Sequence, residues 1–107
     1  MTGPLTGIKV IEVANFLAVP SCAALMADMG ADVIKVEPLA GDQYRWLSGG
    51  ERYHYKFPIN YAFELDNRGK RGIAIDLNKS EANPIMRKLV NNADVFLTNL
   101  LPDRMRR

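Results

Sequence analysis

One cysteine, Cys22, and one histidine, His54, are all that 107 residues carry of the types that most often mark disulfides and metal sites. A single cysteine excludes a disulfide framework within the chain and fits a reducing cytoplasm. A single histidine with no cysteine cluster argues against a metal centre. Charge of one sign is also scarce: the formal net charge is only +2, too small to imply a nucleic-acid partner. The basic residues that do cluster, Arg68/Lys70/Arg71 and Arg104/Arg106/Arg107, read as solvated faces. No apolar run approaches the roughly 18 residues that span a membrane, so no membrane partner is expected. Met1-Thr2-Gly3-Pro4 has neither the basic nor the apolar region of a signal peptide. The G-x-x-x-x-G-K-[ST] phosphate loop is missing as well. Internal repeats and low-complexity segments are absent.

What remains is ordinary globular material, 48% apolar and 24% charged, enough for one small domain. The most informative stretch runs from Gly7 to Arg45. Ile8, Val10, Ile11 and Val13 form a short apolar run suited to a strand buried on both faces. Pro20 stands in the first turn of a helix, where its missing N–H costs nothing, and Gly30 supplies the left-handed stop. Val33-Ile34-Lys35-Val36 is a second strand, closing at Glu37-Pro38. Strand, helix and strand make a βαβ unit with a right-handed crossover. Cys22, beside Ala23, Ala24 and Leu25, reads as a small core residue rather than a nucleophile; Met26 and Met29 read as core too.

From Pro38 to about Tyr61 the chain is loop-like, punctuated by Gly41, Gly49, Gly50 and Pro58. Its aromatic residues, Tyr53, Tyr55, Phe57, Tyr61 and Phe63, suit packing on a neighbour. Trp46 is placed to pack, or to stack on Arg45 or an adenine. Arg71–Leu77 alternates as a third strand, with Ile73, Ile75 and Leu77 on one face. Asn83 as cap and Pro84 as first helical residue start a helix that runs to about Asn91, with Ile85, Met86, Leu89 and Val90 facing the core. Asp94–Leu100 is a fourth strand, and Pro102–Arg107 opens a further helix without finishing it. The fold class is therefore α/β: the N-terminal half of a doubly wound, Rossmann-like parallel sheet, incomplete within residues 1–107. A partial chain is expected.

In such sheets ligands bind at the carboxyl ends of the strands. Here those ends are Ala14–Ala18, Asp76–Asn78 and Thr98–Leu100, whose small or polar residues suit adenine and ribose, or else merely cap turns. Glu37, an acid at the end of a second strand, has the place of a dinucleotide-fold ribose ligand. The first turn, Ala-Asn-Phe-Leu-Ala-Val-Pro, lacks the glycines a pyrophosphate needs, so NAD is not the expected ligand.

Three segments carry a resemblance. LAVPSCAALMADMGADVIKVEP followed by Gly41-Asp42 and Arg45, Asp66-Asn67-Arg68-Gly69-Lys70-Arg71-Gly72-Ile73-Ala74-Ile75-Asp76-Leu77, and Ala93-Asp94-Val95-Phe96-Leu97-Thr98-Asn99-Leu100 resemble, in order and near-family spacing, the opening of the family III CoA-transferases. That family includes formyl-CoA transferase, carnitine CoA-transferases and α-methylacyl-CoA racemase. The resemblance implies that residues 1–107 are the N-terminal part of the large CoA-binding domain. It implies coenzyme A as acyl carrier, an acyl-CoA and a carboxylic acid as substrates, no metal, and an interlaced homodimer in the full-length protein. By matching position Phe16, Leu17 and Ala18, then Ile75 and Asn78, then Asn99 and Leu100 inherit CoA contacts, and Arg104 of Asp103-Arg104-Met105 a CoA phosphate. Arginine suits phosphate because its planar fork binds two oxygens and stays charged.

The implied reaction moves CoA from an acyl-CoA to a carboxylic acid. The alternatives are racemisation at the α-carbon of an acyl-CoA and a non-catalytic nucleotide-binding or interaction fragment. Transfer in this family resembles acyl transfer through an aspartate carboxylate. No aspartate here matches that motif, so no catalytic residue is assigned and the chain alone is expected to be inactive. Two departures stand out. Pro38 occupies a position where many members carry a basic residue for the 3′-phosphate of CoA, leaving Arg45 or Arg71 as substitutes. The segment from Asn99 to Arg104 is about three residues shorter than in formyl-CoA transferase and lacks its glycines.

Overall fold

The computed structural model describes residues 2–47 and 59–106. The elements are β1 (Lys9–Val13), α1 (Ala18–Asp28), β2 (Asp32–Glu37), α2 (Tyr44–Leu47), α3 (Tyr61–Asn67), β3 (Arg71–Ala74), α4 (Ala82–Asn91), β4 (Val95–Thr98) and α5 (Pro102–Met105). The four strands form one sheet in the order β3-β2-β1-β4. Each neighbouring pair is parallel. This is the expected half of a doubly wound fold, and its strand order reverses between β1 and β4.

Alternation along buried strands sends successive side chains to opposite faces. Val10 and Val33 go to one face, where Ala23 and Ala27 of α1 and Ala31 beyond it pack against them. The alanines let the helix approach closely. Ile11, Val13 and Val36 go to the other, against Ala82, Met86 and Leu89 of α4. The C-terminus of α1 is the expected glycine stop: Gly30 lies at φ 100. Its N–H reaches Ala27 O, and Ala31 N–H reaches Met26 O, the two bonds of a Schellman motif.

Several local expectations differ from the structure. Cys22 is exposed, and so are Leu25 and Met29, because α1 turns Ala23, Ala24 and Ala27 inward. At 100° per residue, positions 22, 25 and 29 then fall on the far side. Trp46 is exposed as well and donates its Nε1–H to Ala40 O; the ring over which Arg45 lies is that of Phe63. Helix α4 begins at Ala82 with Glu81 as its cap, so Asn83 and Pro84 lie inside its first turn. Ile85 and Val90 of that helix remain exposed. The ladders end at Ala74 and Thr98, earlier than the strand pattern suggests, although Ile75 N–H still bonds Glu37 O. Helix α3 lies partly in the stretch read as loop, capped by Asn60, whose side chain accepts from Phe63 N–H at 3.0 Å. His54, Tyr53, Tyr55 and Phe57 lie outside the described residues. Among the described residues, no helix is long and apolar enough to cross a membrane.

Candidate functional site

At the carboxyl ends of the strands, beneath the point where strand order reverses, lies a cleft of about 580 Å³. Val13, Ala14 and Asn15 come to it from the end of β1, and Val36 and Pro38 from β2. Ile75, Asp76, Leu77 and Asn78 enter from the segment after β3, while Leu100 and Arg104 come from beyond β4. Apolar walls, the residues Asn15 and Asn78, one carboxylate (Asp76) and one guanidinium (Arg104) make up the lining, and the volume lies within the range of small-molecule sites. A second hollow of about 400 Å³ sits at the opposite ends of the strands, under α4. Open α/β sheets do not hold their ligands there.

Of the eight residues singled out from the sequence, the structure brings Ile75, Asn78, Leu100 and Arg104 together around the cleft. Phe16, Leu17 and Ala18 form the exposed turn into α1 and are not among its lining residues. Asn99, exposed, is not among the lining residues either. Its Oδ1 accepts Asn15 N–H at 3.1 Å and its Nδ2 donates to Asn15 O at 2.7 Å, stitching β1 to β4 at the switch point. Asn78 closes a local turn on Asp76.

Neither proposed substitute for the basic residue at Pro38 faces the cleft. Arg45 is held by Glu37 through both its Nε and Nη2, each at 2.8 Å. Arg71 begins β3, at the other end of the sheet, and pairs with Asp32 at 2.7 Å. The basic cluster near residue 70 is not simply a solvated face either. Arg68 pairs with Asp28 at 2.6 Å on the surface, but the Lys70 side chain is only 2% exposed and meets Glu12 at 2.7 Å.

Beneath the first turn lies a group of buried charges that sequence reasoning missed. Glu12 and Lys35 are paired in register on β1 and β2. Lys35 Nζ reaches Glu12 at 2.9 Å and Asp42 at 3.0 Å, and donates to Ala14 O at 3.0 Å. Lys70 completes the set from the loop before β3, also donating to Pro20 O, Asp66 O and Asn67 Oδ1. Burial pulls the Lys70 ammonium below its usual range, against the opposing pull of Glu12. Glu37 shows the converse balance: burial pushes its carboxyl up, but Arg45, the Asp42 amide and the charge of Lys35 together bring it below the ordinary value. The signal was present. Ile-Glu-Val and Ile-Lys-Val put opposite charges at the same place in two otherwise apolar strands, and buried charges must be paired.

The sequence model of CoA-transferase family III matches residues 5–107. The chain belongs to this family. Among its relatives, (R)-2-hydroxy-4-methylpentanoate CoA-transferase of Clostridioides difficile is 41% identical over 96 residues, covering 90% of this chain. Succinate–glutarate CoA-transferase of Agrobacterium fabrum is 43% identical over 108 residues, covering 94%. The chain spans 24% of the length of the first and 26% of the second. A solved structure of a CAIB/BAIF family protein from Brucella suis superposes with a TM-score of 0.80 at 34% identity, over 99% of this chain and 28% of the other. A hypothetical protein from Mycobacterium tuberculosis gives 0.84 at 31% identity, over 98% and 28%. The CoA-transferase family III chain therefore corresponds to about a quarter of each of these proteins.

Proposed function

We propose that this chain is the CoA-binding portion of a longer cytoplasmic family III enzyme that moves CoA from an acyl-CoA to a carboxylic acid. The observation that carries the reading is the cleft at the strand ends. There Ile75, Leu77 and Leu100 share the lining with Asn15, Asn78, Asp76 and Arg104. Such a surface suits an adenine against the apolar side, ribose hydroxyls against the amides and a phosphate against the arginine. The remaining inherited contacts, at Phe16, Leu17, Ala18 and Asn99, are assigned to parts of CoA that extend past the cleft.

Transfer is favoured over racemisation because both relatives named above are CoA-transferases of carboxylic acids by name. The carboxylate that would form the covalent acyl intermediate is assigned to the part of the enzyme outside these residues. The homodimer that the family resemblance implies belongs to the same proposal. What these residues contribute is binding and orientation of the carrier.

Calorimetry on the full-length protein tests this. Wild type is expected to bind CoA, and Arg104→Ala to bind it about ten- to a hundred-fold more weakly, the range for a lost hydrogen bond to a charged group. Dephospho-CoA should suffer the same loss if Arg104 meets the pyrophosphate, and hardly any if it meets the 3′-phosphate. We assign the pyrophosphate. Equal CoA affinity in wild type and mutant would remove Arg104 from the site.

A further inference from the structure

The turn after β1 contains a backbone conformation that its sequence disfavours. Phe16 sits at φ 66, and it is the one non-glycine residue with positive φ among the described residues. A bulky side chain in that region is a genuine outlier. It persists only where the surroundings over-determine it, which is common at functional sites.

The surroundings here do so from two sides. Asp42, fully buried, accepts Phe16 N–H on Oδ1 at 3.2 Å and Tyr44 N–H on the same oxygen at 2.9 Å. Its Oδ2 faces Lys35 Nζ at 3.0 Å, and that ammonium holds Ala14 O. From just beyond β4, Asn99 holds both the N–H and the carbonyl of Asn15. Four backbone groups in three successive residues are thus each gripped by a side chain from elsewhere in the fold. Two of those residues, Ala14 and Asn15, line the cleft.

We infer that Asp42 is a positioning residue for the CoA site: by holding Phe16 left-handed, it aims the Ala14–Asn15 turn into the cleft. Lys35, paired with Glu12, holds the Asp42 carboxylate in place without exposing it to water. The inference rests on the CoA reading above and adds a residue that touches no ligand.

The test is a mutant cycle on the full-length protein, with CoA affinity read by calorimetry and folding by circular dichroism. Phe16→Ala and Phe16→Gly both remove the phenyl ring, but only glycine adopts φ 66 without strain. Asp42→Ala should weaken CoA binding about ten-fold in the Phe16→Ala background and less than about three-fold in the Phe16→Gly background, since glycine no longer needs to be held. Equal losses in both backgrounds would overturn the inference, leaving Asp42 a merely structural residue. Wild type failing to bind CoA would instead overturn the reading of the site and take this inference with it. Phe16→Pro supplies a check that keeps every buried charged side chain in the protein and removes only the N–H that Asp42 accepts. Proline fixes φ near −65° and removes the N–H; the variant should fold yet bind CoA at least about ten-fold more weakly than Phe16→Ala. Equal affinity of the two would refute the role of the turn even if Asp42→Ala did not fold.

Discussion

At the scale of single residues, Glu37 shows how burial and pairing oppose each other. It has the strand-end place of a ribose ligand, yet its carboxylate is occupied within the fold, bound to Arg45 through both oxygens and to the Asp42 amide at 2.8 Å. Its folded-state carboxyl lies below the ordinary 4.5. A group depressed in this way contributes stability that is complete above its unfolded value and is lost as pH falls through the folded one. Glu37→Gln keeps an acceptor for the Asp42 amide but no charge for Arg45. Because the Arg45 side chain is 41% exposed, the loss should be modest, about 1 kcal/mol at pH 7. Thermal melts of the full-length protein should then show the gap between wild type and mutant closing as pH drops from 7 to 3. A gap that stays constant would mean that the carboxylate's charge contributes nothing.

At the scale of elements, the sequence was most legible where one physical cause acted alone. β1, α1 and β2 follow from two β-branched runs, a helix-compatible proline and a glycine stop, and their parallel order follows from the crossover. Cys22 and Met29 were misplaced because helix periodicity tells which positions share a face, not which face is inward; the three buried alanines Ala23, Ala24 and Ala27 decided that. Helix α3 was missed because its cap, Asn60, comes directly after a glycine- and proline-rich stretch. The cleft was half legible. Strand ends could be named from pattern, and the family resemblance supplied Arg104, but Val36 and Pro38 enter it through a sheet order that no local signal contains. The buried charges depended on pairing between β1 and β2 and were invisible to each strand alone. Gly30 offers the sharpest test at this scale. Its φ of 100 lies in the left-handed region, so Gly30→Ala should destabilise by about 1–2 kcal/mol. The full-length variant should melt earlier while CoA affinity is unchanged, since Gly30 lies at the end of α1 remote from the cleft. Unaltered stability would show that the Schellman turn relaxes without cost.

At the scale of the whole molecule, the sheet is covered unevenly. Helix α1, with α3 beside it, closes one face; on the other, α4 leaves the hollow lined by Ile11, Ile34, Ile85 and Leu89. Both edges, β3 and β4, lack a neighbouring strand among the described residues. Every residue of β3, Ile73 among them, is exposed, and so are Phe96 and Leu101. Unpaired strand edges are templates for pairing with another chain, and contiguous apolar surface seeks a partner. The buried charges add to the difficulty, because Glu12, Lys35, Asp42 and Lys70 must be desolvated together before their mutual attraction offsets the cost. The 107-residue chain by itself should therefore self-associate, and it should melt broadly rather than cooperatively. Sedimentation velocity across a concentration series reads the first property, and circular dichroism on heating reads the second. Mass above the monomer that rises with concentration is expected. A single monomeric species with a sharp, high-temperature transition would show that this half-sheet closes its own core, and would shift weight towards a self-sufficient nucleotide-binding module.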